Sequence, residues 1–189
     1  VPAHQRADAR RNYARILAVA EEEVAAHGVN ASLEQIARTA GVGSATVRRH
    51  FPTRSALLKA VSRTRIEALC VRAHDLAGED DSRSALLEWL SDVVAYCASA
   101  RGFAAALAYD DEAGPDSVYE NACSAAIEEA GAPLLHRAVQ DGAVERGITI
   151  GELITLIVGI ALASEHHPDP AAQADRLFRL AVAGLSPRS

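Results

Sequence analysis

The sequence predicts an all-α protein. Hydrophobic residues make up 49% of the 189, yet aromatics are only 4%. Alanine, the strongest helix former, is abundant. Apolar residues recur three and four apart, and no convincing strand, repeat or low-complexity tract interrupts them. The seven prolines cluster at helix boundaries, with none between Arg54 and Gly114.

Residues 1–6 read as a short arm carrying His4 and Arg6. A first helix is expected over 8–27. Ile16, Leu17, Ala20 and Val24 form its buried stripe, and Gly28 stops it. Arg10, Arg11 and Arg15 lie near its start, either as a solvated face or as phosphate contacts.

Residues 32–51 hold two short helical patterns around a glycine turn. Ser32 is a good N-cap, and Gln35 three residues on completes a capping box. Leu33, Ile36, Ala37 and Ala40 share one face, and small Ala37 allows a close crossing. Gly41 ends this helix where a left-handed residue is needed. Val42 plugs the turn, and Ser44 is read as the cap of the next helix. Val47 and Phe51 give that helix a buried side, leaving Ala45, Thr46, Arg48, Arg49 and His50 on the other. This is a helix-turn-helix whose second helix is shaped for a DNA major groove.

Pro52 breaks the chain, and Thr53 caps a fourth helix over 54–76. Arg54 then sits at a helix N-terminus, where backbone amides also attract anions. A polar linker at 78–81 precedes a long helix over 82–100 with Leu86, Leu87, Leu90, Val93, Val94 and Cys97 inside. A short helical piece is expected at 103–109, an acidic loop at 110–115 and a helix at 116–130 ended by Gly131. Pro133 opens a further helix to about 145, punctuated by Gly142 and Gly147. The capping box Thr149 to Glu152 opens a helix to about 166, and the final helix follows Pro170 to about 183. The count is about nine or ten helices.

Net charge is −6, which alone disfavours nucleic acid. Residues 1–76, however, carry twelve Lys and Arg against seven Asp and Glu, while residues 77–189 carry seven against eighteen. A basic head on an acidic body fits DNA binding by the head alone.

The run at 41–58, Gly-Val-Gly-Ser-Ala-Thr-Val-Arg-Arg-His-Phe-Pro-Thr-Arg-Ser-Ala-Leu-Leu, resembles the DNA-binding domain of tetracycline-repressor-type (TetR family) regulators. Arg-Arg-Asn-Tyr-Ala-Arg-Ile-Leu-Ala-Val-Ala at 10–20 is similar to that family's first helix. The likeness is sharp from about Asp8 to Val61; beyond, it rests on length and helical rhythm. It implies a helix-turn-helix DNA-binding domain at 7–61 (motif 32–51) and a helical effector-binding and dimerisation domain at 62–189. It also implies double-stranded operator DNA, a second copy of the chain and a small-molecule effector as partners, with repression relieved by that effector. A basic phosphate contact is implied at Arg54. Arg48 departs from the pattern, standing where the family usually carries an aromatic residue. The residues expected at DNA are Arg11, Ser32, Ser44, Ala45, Thr46, Arg48, Arg49, His50 and Arg54.

No catalytic constellation stands out: there is no phosphate-binding glycine loop, His-Glu-x-x-His or triad signature. His166-His167 reads as a surface pair rather than a metal site, and Cys97 and Cys123 as inert thiols rather than a redox switch. No enzyme activity, metal or cofactor is expected. Widely spaced cysteines, no secretory signal at Val1 and no apolar run of membrane-spanning length point to the cytoplasm.

Trp89, Tyr96, Phe103 and Tyr109 concentrate the aromatics. With His136 they are candidates to line an effector pocket, against plain core packing. The helix over 150–163 is apolar on nearly every side, which points to a partner. Leu153, Ile157, Ile160, Ala161, Leu177, Phe178 and Ala181 are the expected dimer contacts. The competing class is a small helical enzyme or ligand carrier with an incidental helix-turn-helix. It predicts no DNA affinity and a pocket with paired catalytic groups. An effector-free architectural DNA binder is a third reading.

Overall fold

The computed structural model describes residues 3–99 and 116–184. Among them are eight α-helices, one short 3₁₀ turn and no strand: α1 Ala3–His27, α2 Leu33–Thr39, α3 Ser44–His50, α4 Arg54–Leu76, α5 Ser82–Ser99, α6 Asp116–Gln140, α7 Ile150–Ala163 and α8 Pro170–Gly184. The chain forms two compact units, and the division falls inside α4 between Thr64 and Arg65. The short helix expected at 103–109 and the acidic loop after it lie outside the described residues.

In the N-terminal unit the first helix starts at Ala3, earlier than expected, so most of the anticipated arm is helical backbone. Ile16, Ala20 and Val24 of α1 are buried, as are Ile36, Ala37 and Ala40 around α2 and Val47 of α3. Ala37 is 2% exposed at the α2–α3 pairing, where a larger side chain would push the helices apart. Gly41 has φ 64°, a backbone state costly for a residue with a Cβ. It lets the Val42 N–H reach back to Ala37 O (3.0 Å), closing α2 in a Schellman turn. At α4, Thr53 Oγ1 accepts from the Ala56 N–H at 3.0 Å, the expected cap.

The second unit is built on α5, which packs against α6, α7 and α8. Its core includes Leu69, Leu86, Trp89, Leu90, Val93, Leu134, Ala138, Ile157 and Phe178. Arg137 closes one end by donating to the carbonyls of Ala77 and Glu79, which ties down the linker ahead of α5. Thr149 and Glu152 form the reciprocal capping box at the start of α7. Asp169 caps α8 by accepting from the Ala172 N–H (3.1 Å), with Pro170 at the first helical position.

A second boundary also differs from the sequence reading. Residues 116–140 form a single helix through both Gly131 and Pro133. Gly131 is buried against Trp89 and Ile150: a Cβ built there would overlap the Trp89 ring and lie 2.9 Å from Ile150 Cδ1. The glycine serves close approach, not helix termination. Pro133 removes one backbone donor, but it and Glu129 are exposed, so water can take the freed carbonyl. This merger accounts for one of the missing helices.

Candidate nucleic-acid interface

The recognition segment is α3. Val47 and Phe51, 0% and 1% exposed, pin one side of it. Helical spacing then sets Ala45 and Arg49 opposite, Ser44 and Arg48 on one flank, and Thr46 and His50 on the other. Ser44, Ala45, Arg48 and Arg49 are exposed, while Thr46 and His50 are half-buried. Two arginines, a hydroxyl and a small residue therefore face outward on an anchored helix. That is the composition a major-groove reader needs: guanidinium forks for guanine, and small residues where the backbone approaches.

The cap assignment changes at this helix. Gly43, not Ser44, is the N-cap, and no side chain caps the turn. Ser44 is the first helical residue, and its hydroxyl is not spent on capping. Ser32, by contrast, is the cap of α2, with Oγ 3.3 Å from the Gln35 N–H. Only half the expected box forms, because Glu23 Oε1 takes the Ser32 N–H (3.3 Å). The Gln35 side chain turns to Arg38 and Thr39 instead.

Three further side chains set the site's rigidity. Tyr13 of α1 lies edge-on to His50 (centroids 5.7 Å) and beside Phe51 (5.2 Å). It braces the C-terminal turn of α3, a role carried by no motif and legible only once α1 and α3 are packed. Arg54 donates to Ala31 O at 3.1 Å, tying the start of α4 to the segment before α2. A guanidinium has five N–H donors, so this bond leaves others for a phosphate. Arg11 is exposed and paired with Asp8, and Arg15 donates to Asn12 at 3.2 Å. Exposed pairs of this kind exchange readily for a stronger anion.

Of the residues expected around an effector, Trp89, Tyr96 and His136 are described, and they do not line one cavity. Trp89 is fully buried in the core, and its indole N–H donates to Leu69 O at 3.0 Å. Tyr96 is half-buried against the core, while His136 is exposed, with Nε2 2.8 Å from Gln140 Nε2. Phe103 and Tyr109 lie outside the described residues. A narrow apolar cavity of about 40 Å³ lies elsewhere, among α5, α7, α8 and the 143–148 segment, with Leu86, Leu90, Ile148, Leu153 and Phe178 in its walls. Trp89, Tyr96 and His136 are not among its lining residues.

Most of the residues expected at a dimer contact are covered within the subunit. Leu153, Ile157, Ile160, Ala161 and Phe178 are buried within the subunit, and Leu177 and Ala181 are half-buried. Among the described residues of α7 and α8, the large apolar side chains left outside are Leu156 (40% exposed), Val158 (42%), Leu162 (62%) and Leu180 (60%). A helix apolar all round offers no sequence signal for which side its own core takes.

Burial pushes the Cys97 thiol up to about 11, leaving little thiolate at neutral pH. The Cys123 side chain falls outside the described residues. His166 and His167 are exposed, and His167 Nδ1 accepts from the Asp169 N–H at 3.1 Å. Among the described residues no cluster of three metal-ligating side chains occurs, and no helix is long and apolar enough to cross a membrane.

Residues 16–61 match the model of bacterial regulatory proteins of the tetR family, and residues 81–187 match that of the SbtR-like transcriptional regulator C-terminal domain. No match is found among curated proteins. Among solved structures, the TetR transcriptional regulator SCO0520 of Streptomyces coelicolor is 34% identical. The alignment covers 94% of this chain and 99% of that one, with a TM-score of 0.71. A TetR transcription regulatory protein of Mycobacterium vanbaalenii is 31% identical, with 97% and 99% covered and a TM-score of 0.68. PfmR of Thermus thermophilus, at 18% identity, 93% and 97% coverage and a TM-score of 0.59, shares the fold. With both units matched and the helix-turn-helix in place, the chain belongs to the TetR family of DNA-binding transcriptional regulators.

Proposed function

We propose that the protein is a homodimeric repressor that acts in the cytoplasm and leaves its operator when a small-molecule effector binds the C-terminal unit. The observation that carries this reading is the exposed stripe of Val158, Leu162 and Leu180 on α7 and α8. One recognition helix reads only a few base pairs, so useful selectivity needs two heads held at fixed spacing. A two-fold contact of α7 and α8 with their symmetry mates would hide the stripe and supply that spacing. Gly159 on the same side of α7 has open space around it, so a partner helix can approach closely. The dimer contacts are thus reassigned from the buried Ile157 and Ile160 to Val158, Leu162 and Leu180.

On the operator, Arg48 or Ser44 reaches bases, Thr46 and His50 position backbone, and Arg54 and Arg11 hold phosphate. The covalent path from head to body is α4, with Arg54–Thr64 in one unit and Arg65–Leu76 in the other. An effector that prefers the conformer with misplaced heads weakens DNA binding by its own differential affinity. A mobility shift against the DNA flanking the chain's own gene tests the reading. A discrete retarded complex, dispersed by an effector found in a thermal-shift screen, is expected. No specific complex on that DNA would contradict operator binding, and a complex that every stabilising ligand leaves intact would contradict effector release.

A further inference from the structure

The apolar cavity among α5, α7 and α8 has one charged residue in its lining, Arg83. Arg83 is half-buried, and among the described residues no hydrogen bond or ion pair engages its side chain. Its electrostatic neighbour is the exposed Asp81, whose carboxylate also accepts from Ser84, Oδ1 from the backbone N–H at 3.0 Å and Oδ2 from the hydroxyl at 2.7 Å. The Arg83 N–H donors thus stay open beside an apolar void, and guanidinium donors favour carboxylate or phosphate oxygens over weaker partners.

A second void of about 460 Å³ lies along the outside of α5 and α8, open to solvent. It shares three wall residues with the inner cavity: Leu87, Phe178 and Val182. The charges along this groove are internally satisfied, Glu88 by Arg72 and Asp175 by Arg179. The inner cavity alone has room for little more than water. The two spaces adjoin at these shared side chains and, taken together, form one largely apolar slot in which Arg83 is the cation without a hydrogen bond.

We infer that this slot, and not the Trp89 region, binds an amphipathic monoanion: an unbranched aliphatic chain carrying a carboxylate, with the chain among Leu86, Leu90 and Phe178 and the carboxylate on Arg83. Leu153 and Leu156 on α7 and Val182 on α8 belong to the same lining, and these are the helices that carry the exposed stripe. Filling the slot wedges α5 away from both. That this occupant regulates DNA binding rests on the function proposed above; the site itself is tested separately.

Calorimetric titration of the full chain with octanoate, octan-1-ol and octylamine makes the test. Octanoate should saturate at one per chain and bind about ten-fold more tightly than the alcohol, the size of one charge-assisted hydrogen bond; the amine should not bind. Arg83→Ala should abolish the preference for octanoate over the alcohol. Ala143→Leu, which fills the inner cavity, should abolish octanoate binding. The site is overturned if octanoate gives no saturable binding or if Arg83→Ala keeps the ten-fold preference. It is equally overturned if Ala143→Leu, folded as judged by circular dichroism, binds octanoate like wild type. Where Ala143→Leu fails to fold, Arg83→Ala decides. Octanoate binding that leaves operator affinity unchanged supports the site and contradicts effector release by it. Operator release by another compound, with octanoate unbound, contradicts the site alone.

Discussion

The Trp89 ring lies against the Cα of Gly131, so close that any side chain at 131 would overlap it. Trp89 is the largest fully buried side chain in the described residues, and its indole N–H is satisfied by Leu69 O. This contact sets the distance between α5 and α6. Gly131→Ala should therefore destabilise the protein by about 1–3 kcal/mol through overpacking, despite alanine's better helix propensity. Denaturant unfolding measures it. Gly151→Ala is the internal control, because a Cβ there would meet only the Glu128 carboxylate at an ordinary contact distance of 3.7 Å. It should leave subunit stability equal or higher by up to about 1 kcal/mol. Equal destabilisation by both substitutions would contradict the packing role of Gly131.

Arg48 and Arg54 should separate by sequence dependence. Arg48→Ala should relax preference at one base position per half-site, by roughly 1–3 kcal/mol against the wrong base. Arg54→Ala should weaken all sequences alike and reduce the salt slope by about one unit per subunit. It should also lower stability, since Arg54 holds Ala31 O. Binding titrations at several salt concentrations on an operator and its single-base variants distinguish them. A uniform loss for Arg48→Ala would make it a phosphate contact.

The capping carboxylates give a pH signature. Glu152 is held below its usual range by the Thr149 backbone N–H, then by the Thr149 hydroxyl. Asp81 is held low mainly by the Ser84 hydroxyl, then by the Ser84 N–H. A depressed folded-state value means the stabilisation is present above the unfolded value, near 4.5 and 3.8 respectively, and is lost as pH falls through the folded one. Thermal stability should drop with acidification below that range, and the drop should be shallower in Glu152→Gln. An identical acid profile for the variant would remove the cap from the account.

What the sequence made legible was local. Ser32, Gly41, Thr53, Thr149 and Glu152 act through bonds three to five residues away, and each cap or turn appears where those residues place it. Ser44 misled because Gly43 can start a helix without a side-chain cap. Gly131 misled because a glycine needed for close packing has the same letter as one that ends a helix. Trp89 and Ile157 were open to more than one reading for a shared reason. Composition announces that apolar side chains will be hidden, but only packing decides whether core, ligand or partner hides them. Tyr13 carried no signal, since its partners His50 and Phe51 come from a different helix.

The exposed stripe makes the dimer separable from the fold. Val158→Glu with Leu180→Glu should give a folded monomer, because both side chains already face out of the subunit. Ile157→Glu should instead unfold the C-terminal unit, because Ile157 is 1% exposed in its core. Circular dichroism and size-exclusion chromatography check both. A monomeric, folded Ile157→Glu would return the interface to the buried residues.

Sedimentation of the protein with a near-palindromic operator duplex tests the central claim most directly. Two chains per duplex are predicted, on half-sites about one helical turn (roughly 34–36 Å) apart or a small extension of it. Val158→Glu with Leu180→Glu should remove that complex while the chain stays folded. A single wild-type chain per specific duplex, or a double variant that still binds as two, would contradict the account.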